Sequence, residues 1–255
     1  MTEFLPIIGF VAALLVGYGI LRLIVGLVLR RKLDHLTATL SAEAAAHGWT
    51  VSSERRHGLR AIEWRGSTNG IAWVAVALSG WQGTELQRRR VSATRWQTSD
   101  LRGNANPIVL LGMSSHPGIH AAWPSGGGAT ADLLTTAMLA AIDKYIDEHF
   151  APEIRAVVDA TRLQRVEGAE RLLAGYIVVA EDPAEAVRVI EHGVGAALSA
   201  TASTMQSAAP SSPEGYFAVI CKEGVGLVRS HAVASLADLH PIVKKGVAIA
   251  NAVKW

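Results

Sequence analysis

The sequence predicts an α+β protein in which one N-terminal transmembrane helix is followed by antiparallel strands covered by amphipathic helices. Three observations lead there. An apolar run from Phe4 to Leu21 continues past Arg22 to Leu29 and closes on Arg30-Arg31-Lys32. From Trp49 onward, short β-rich stretches alternate with turn residues. Helical periods return after Thr130, and each helical stretch is followed or preceded by a strand rather than by another long helix.

The first element follows from length and flanks. Roughly 20 apolar residues in a helix cross the hydrocarbon core of a bilayer, so Phe4 to Leu29 is long enough to span it with some tilt. Glu3 precedes the run and the basic triplet follows it. That is the reverse of a cleaved signal peptide, which carries its basic residues first and a small-residue cleavage site last. Basic residues collect on the cytoplasmic side, which places the N-terminus outside and residues 30–255 in the cytoplasm. The single cysteine, Cys221, agrees with a reducing compartment. Arg22 lies about two turns from the basic end and is expected to snorkel toward the head groups. Gly9, Ala13 and Gly17 fall at i, i+4 and i+8, a small-residue stripe against which a second membrane helix can pack.

Leu33, Leu36 and Leu40 carry the helical period on toward Gly48, a plausible C-cap. Strands are then expected near 49–54, 59–65, 71–78, 91–98 and 107–113 as an antiparallel meander, with Asn69-Gly70 as a tight hairpin turn. A helix follows from about Thr130 to His149, with Leu133, Leu134, Ala137, Ala141, Tyr145 and Ile146 on its buried face. A short helical piece is expected near Pro152 to Val158 and a strand near Gly175 to Ala180. Asp182-Pro183 then forms an N-cap and first-turn pair for a helix reaching about Met205. The Pro210-Ser211-Ser212-Pro213 segment breaks the chain, Tyr216 to Cys221 and Val225 to Arg229 form a hairpin, and a last helix runs from Leu236 to Val253.

The organisation expected is an anchor with basic flank over 1–32, a juxtamembrane helix over 33–48, a strand-rich part over 49–160 and a strand-helix-hairpin-helix part over 170–255. Hydrophobic residues make up 50% of the chain and charged residues 18%, a balance that supports a packed core and excludes a disordered chain. Residues 1–102 hold 13 Lys/Arg against 7 Asp/Glu, a balance of +6, whereas residues 103–255 hold 11 against 15, a balance of −4. The basic half is the one next to the membrane, which suits a domain resting one face on anionic lipid and equally matches the ordinary scatter of charge on a soluble surface.

No catalytic, cofactor or metal site is expected. His116 and His120 are four apart, but Pro117-Gly118 between them opposes the helix that would align two ligands. Ser125-Gly126-Gly127-Gly128 lacks the Gly-Lys-Ser/Thr ending of a phosphate loop, and Ser114-Ser115 stands in no Gly-x-Ser-x-Gly elbow. His149, His192 and His240 lie near helix ends, where a polar tip and a favourable dipole account for them. Cys221 sits inside a strand as a small buried hydrophobe, and Trp49, Trp64 and Trp73 belong to the sheet core. The basic residues singled out for lipid or protein contact are Arg30, Arg31 and Lys32 beside the anchor, and Arg88, Arg89, Arg90 and Arg95, which Trp81 and Trp96 bracket; a solvated hairpin loop is the other reading of that second cluster. A pI near 8.8 is modest for a nucleic-acid binder, and nucleic acid is not an expected partner.

Taken together, the N-terminal helix, Gly48-Trp49, Ile62-Glu63 and Trp73, Thr94-Arg95-Trp96, and Tyr176-Ile177-Val178-Val179-Ala180-Glu181-Asp182 before a helix resemble an uncharacterised family of bacterial membrane-anchored proteins over most of residues 48–250. The resemblance implies a bacterial inner-membrane protein with a cytoplasmic α+β domain, and it brings no catalytic residues. The expected function is that of an accessory or interaction subunit of a larger membrane assembly. Its expected partners are membrane lipid and other membrane-protein subunits, with homo-oligomerisation open. A membrane-tethered enzyme whose site is built from residues distant in sequence is the alternative, and an anionic-lipid sensor using the basic strand region is a third reading.

Overall fold

Asn69 and Gly70 both adopt positive φ, 53° and 74°, and so turn the chain back on itself between Thr68 and Ile71. That is the two-residue hairpin geometry whose twist matches the flanking strands, and Asn-Gly is the dipeptide that tolerates it. The computed structural model describes residues 5–56, 59–82, 89–99, 106–112, 129–198 and 216–254. The segments containing Ser114-Ser115, His116, His120, Ser125-Gly128, Arg88 and Pro210-Pro213 lie outside the described residues.

Helix α1 (Leu5–Ala45) is a single element of 41 residues, about 60 Å long at the usual rise. Its side chains are described from Gly17 onward, with gaps at 26, 29–30, 32–33 and 36. Among the described residues no helix is long and apolar enough to cross a membrane. Gly48, with φ of 70°, ends the helical part as expected, and the Trp49 amide donates back to the Ala44 carbonyl at 3.0 Å.

Nine strands follow: β1 (Thr50–Arg56), β2 (Leu59–Thr68), β3 (Ile71–Gln82), β4 (Arg89–Thr98), β5 (Ile108–Gly112), β6 (Gln164–Arg165), β7 (Tyr176–Ala180), β8 (Phe217–Cys221) and β9 (Gly224–Arg229). They form one antiparallel sheet in the order β1-β2-β3-β4-β9-β8-β5-β7-β6. The meander expected from the sequence holds through β4 and fails at β5, because the neighbour of β4 is β9. β5 lies instead between β8 and β7. The cause is visible in burial. β5, β7 and β8 are buried at every position, and such unbroken apolar runs belong in the middle of a sheet covered on both faces.

Helices supply both covers. On one face lie α1, α5 (Pro183–Val189, continued through a π-turn at Ile190–Val194 to residue 198) and α6 (Leu236–Val253). They enclose the larger core with Trp64, Trp73, Trp96, Val178, Ile220 and Leu227. On the other lie α2 (Ala129–His149) and α3 (Pro152–Arg155), which enclose a second core with Val109, Ile177, Val219 and Phe217. A one-turn helix, α4 (Ala169–Leu172), leads into β7. Gly246 lets α6 sit directly on the Trp96 ring, since a Cβ there would run into it. Asp182 caps α5 as expected, accepting from the Ala184 and Glu185 amides at 2.9 and 3.1 Å.

The buried face of α2 differs from the expected one. Met138, Ile142 and Ile146 face the core, whereas Leu133 and Leu134 are 70% and 41% exposed and Ala137 and Ala141 are also exposed. The stripe is confined to the last three turns, where α2 meets the short central strands, and its phase is set by that landing point rather than by the run of apolar residues at its start.

Candidate functional site

A sizeable cleft forms among the described residues where α1 hands the chain to the sheet. Gly48 turns the chain so that Trp49 falls inward, 7% exposed, with its ring edge-on to Trp73 at 4.8 Å between centroids and 85° between planes. Gly66 makes room for this pair, because a Cβ on it would strike both indoles. The Trp73 indole N–H donates to Thr68 Oγ1 at 3.0 Å, which ties the floor of the cleft to the β2–β3 turn.

Two imidazoles stand over the floor. The His47 ring lies 5.1 Å from Trp49 and 4.7 Å from His240, and His240 lies 4.9 Å from Trp49. His47 comes from the last turn before β1, and His240 from the second turn of α6, about 190 residues away. The cleft has a volume of about 590 Å³, and Asn69, Lys244 and Asn251 add an amide, an ammonium and a second amide to its wall. Among the described residues no carboxylate lines it. Burial, and then the neighbouring His47 ring, hold the His240 imidazole below its ordinary value and favour its neutral form.

This arrangement offers an aromatic floor, imidazole nitrogens and a lysine ammonium, the donor set for a flat group or an anion. Among the described residues no three His, Cys, Asp or Glu are placed to hold a metal ion. Cys221 is 1% exposed, burial pushes its thiol up, and its Sγ donates to the Gly224 carbonyl at 3.6 Å. The sequence reading missed the cleft: it assigned Trp49 to the core, which is correct, and His240 to a helix end. No spacing in the chain links His47 to His240.

The residues singled out from the sequence are dispersed. Gly9 and Ala13 belong to α1, but their surroundings lie outside the described residues, as do the side chains of Arg30, Lys32 and Arg89. Gly17 and Arg31 are exposed, and nothing lies within 4 Å of a Cβ built on Gly17. The Arg22 guanidinium lies 5.5 Å from the Tyr18 ring centroid. It points back one turn, the direction helical side chains take, rather than toward the basic flank. Arg90 is exposed on β4, and Arg95 lies on the opposite face of that strand, where its Nη1 donates to the His149 carbonyl at the end of α2 at 3.5 Å. Trp64, Trp73 and Trp96 are core residues at 0%, 2% and 0% exposure, while Trp81 is 60% exposed.

Comparison of the chain with protein-family models, with characterised proteins and with solved structures gave no match.

Proposed function

We propose that the protein is a single-pass membrane protein of the bacterial inner membrane, with its N-terminus outside, whose cytoplasmic α+β domain serves as an accessory or interaction subunit of a larger membrane assembly. One observation carries the anchor. Ile20, Leu21, Leu23, Ile24, Val25, Leu27 and Val28 of α1 are each 48–64% exposed, on several sides of the helix, immediately before the basic triplet. An apolar surface that size on a free helix is unfavourable in water and favourable in lipid. The apolar residues before Gly17 extend it in sequence to the length a bilayer needs.

The small-residue stripe of Gly9, Ala13 and Gly17 supports a helix partner in the membrane, and the His47–His240 cleft supplies a second contact for a partner segment bearing a flat or anionic group. The test is mild detergent extraction of the native protein, followed by sizing and identification of what travels with it. A fixed stoichiometric complex that Gly9→Leu/Ala13→Leu/Gly17→Leu dissolves supports the reading. A monomer, or a complex indifferent to that triple variant and to His240→Ala, overturns it.

A further inference from the structure

The end of the sheet carrying the basic hairpins is level with the point where α1 leaves its apolar stretch. Thr37 Oγ1 on α1 and Ser53 Oγ on β1 are 2.5 Å apart, and the tight turn at Gly48 makes β1 run back along α1. From that contact, the seven residues of α1 back to Arg30 span about 10 Å. The three residues of β1 on to Arg56 also span about 10 Å. Arg56 pairs with Leu59, Leu59 with Gly80, and Gly80 with Val91. The β3–β4 hairpin continues past that level through Trp81↔Arg90 and Gln82↔Arg89. The described end of the hairpin, at Gln82 and Arg89, therefore reaches the plane of the basic triplet or crosses it.

Strand alternation puts Arg55, Arg60, Trp81 and Arg90 on the sheet face that α1 covers. Trp81 is the one exposed tryptophan among the described residues, and Arg90 is exposed beside it. Arg60 Nε and Nη2 are buried and have no hydrogen-bond partner among the described residues. Arg55 is directly opposite Arg60, so this row contains two guanidinium groups and no carboxylate. An exposed indole next to arginines, held at the height of a membrane interface, matches the chemistry of the head-group region, where tryptophan sits at the apolar boundary and arginine meets phosphate.

We infer that this end of the β3–β4 pair docks on the anionic lipid surface that α1 enters, with Trp81 inserted at the interface and Arg90 on lipid phosphate. The domain is then held by two points, the helix and the hairpin, which fixes its tilt and the direction in which the His47–His240 cleft opens. This rests on the membrane-anchor reading.

The test uses the full chain reconstituted in vesicles with bromine-labelled acyl chains, with and without phosphatidylglycerol, and reads quenching of tryptophan fluorescence. Retention through an alkaline carbonate wash reports on the anchor separately. Expected is a retained chain whose quenching in anionic vesicles falls in Trp81→Phe. Arg90→Glu is expected to lose much of the same component, an arginine near the surface strengthening the attraction about fivefold. A retained chain quenched equally in wild type and Trp81→Phe overturns the docking and leaves the anchor standing. A chain stripped by carbonate overturns both. Because Trp81 and Arg90 are exposed, folding of the variants is checked by an unchanged thermal transition.

Discussion

At the scale of single residues, two positions tie local chemistry to measurable outcomes. Gly70 has φ of 74°, a region that costs a residue with a Cβ about 1–2 kcal/mol. Gly70→Ala is expected to lower stability by that amount in a denaturant titration, with no change in slope, because open space surrounds the position and only the backbone is strained. His240 makes a pH prediction. Its imidazole is held below its ordinary value of 6.5 by burial and by His47, so the unfolded chain takes up a proton before the folded one does. The stabilising difference is complete above pH 6.5 and is lost as the pH falls from there through the folded value. The thermal midpoint is therefore expected to drop on acidification to about pH 5. His240→Gln is expected to shrink that drop, and an identical drop in the variant would place the titration elsewhere.

Elements show which local signals survive packing. The cap of α5 is a short-range matter: Asp182 bonds two amides within three residues, Pro183 needs no amide partner in the first turn, and both were readable in sequence. Asp182→Ala is expected to cost about 1 kcal/mol of stability, and Asp182→Asn much less, since the amide oxygen still accepts. The last helix was equally legible. Ser235 caps α6, and its hydroxyl donates to the Asp238 carboxylate at 2.8 Å while it accepts from the Asp238 amide at 3.2 Å. The phase of α2 was not. Leu133 and Leu134 look like core residues in the chain, yet the contact stripe begins at Met138, because the sheet beneath decides which turns are covered.

The whole molecule depends on long-range pairing. β8 and β9, more than a hundred residues further along the chain, fill the gap between β4 and β5. Without them β4 loses β9, β5 loses β8, and both edges stand open. Residues 1–160 and 161–255 made separately, in detergent, are therefore each expected to lack a cooperative thermal transition, and to regain one when expressed together. A cooperative transition in the first fragment alone would show that β1–β4 form a self-sufficient unit.

What the sequence by itself determined lies within reach of a few residues: the apolar run and basic flank of α1, the Asn69-Gly70 turn, the Asp182 cap, the β8–β9 hairpin and the burial of Trp49, Trp64 and Trp73. Each rests on local backbone geometry or on the hydrophobicity of one side chain, and these are written into the chain. Tertiary structure decided the rest. It moved β5 to the far side of β8, carried the Arg95 guanidinium to the end of α2, and brought His47 to 4.7 Å from His240. Strand order and helix landing points follow from burying both faces of one sheet at once, a condition satisfied by the whole chain and legible in none of its segments.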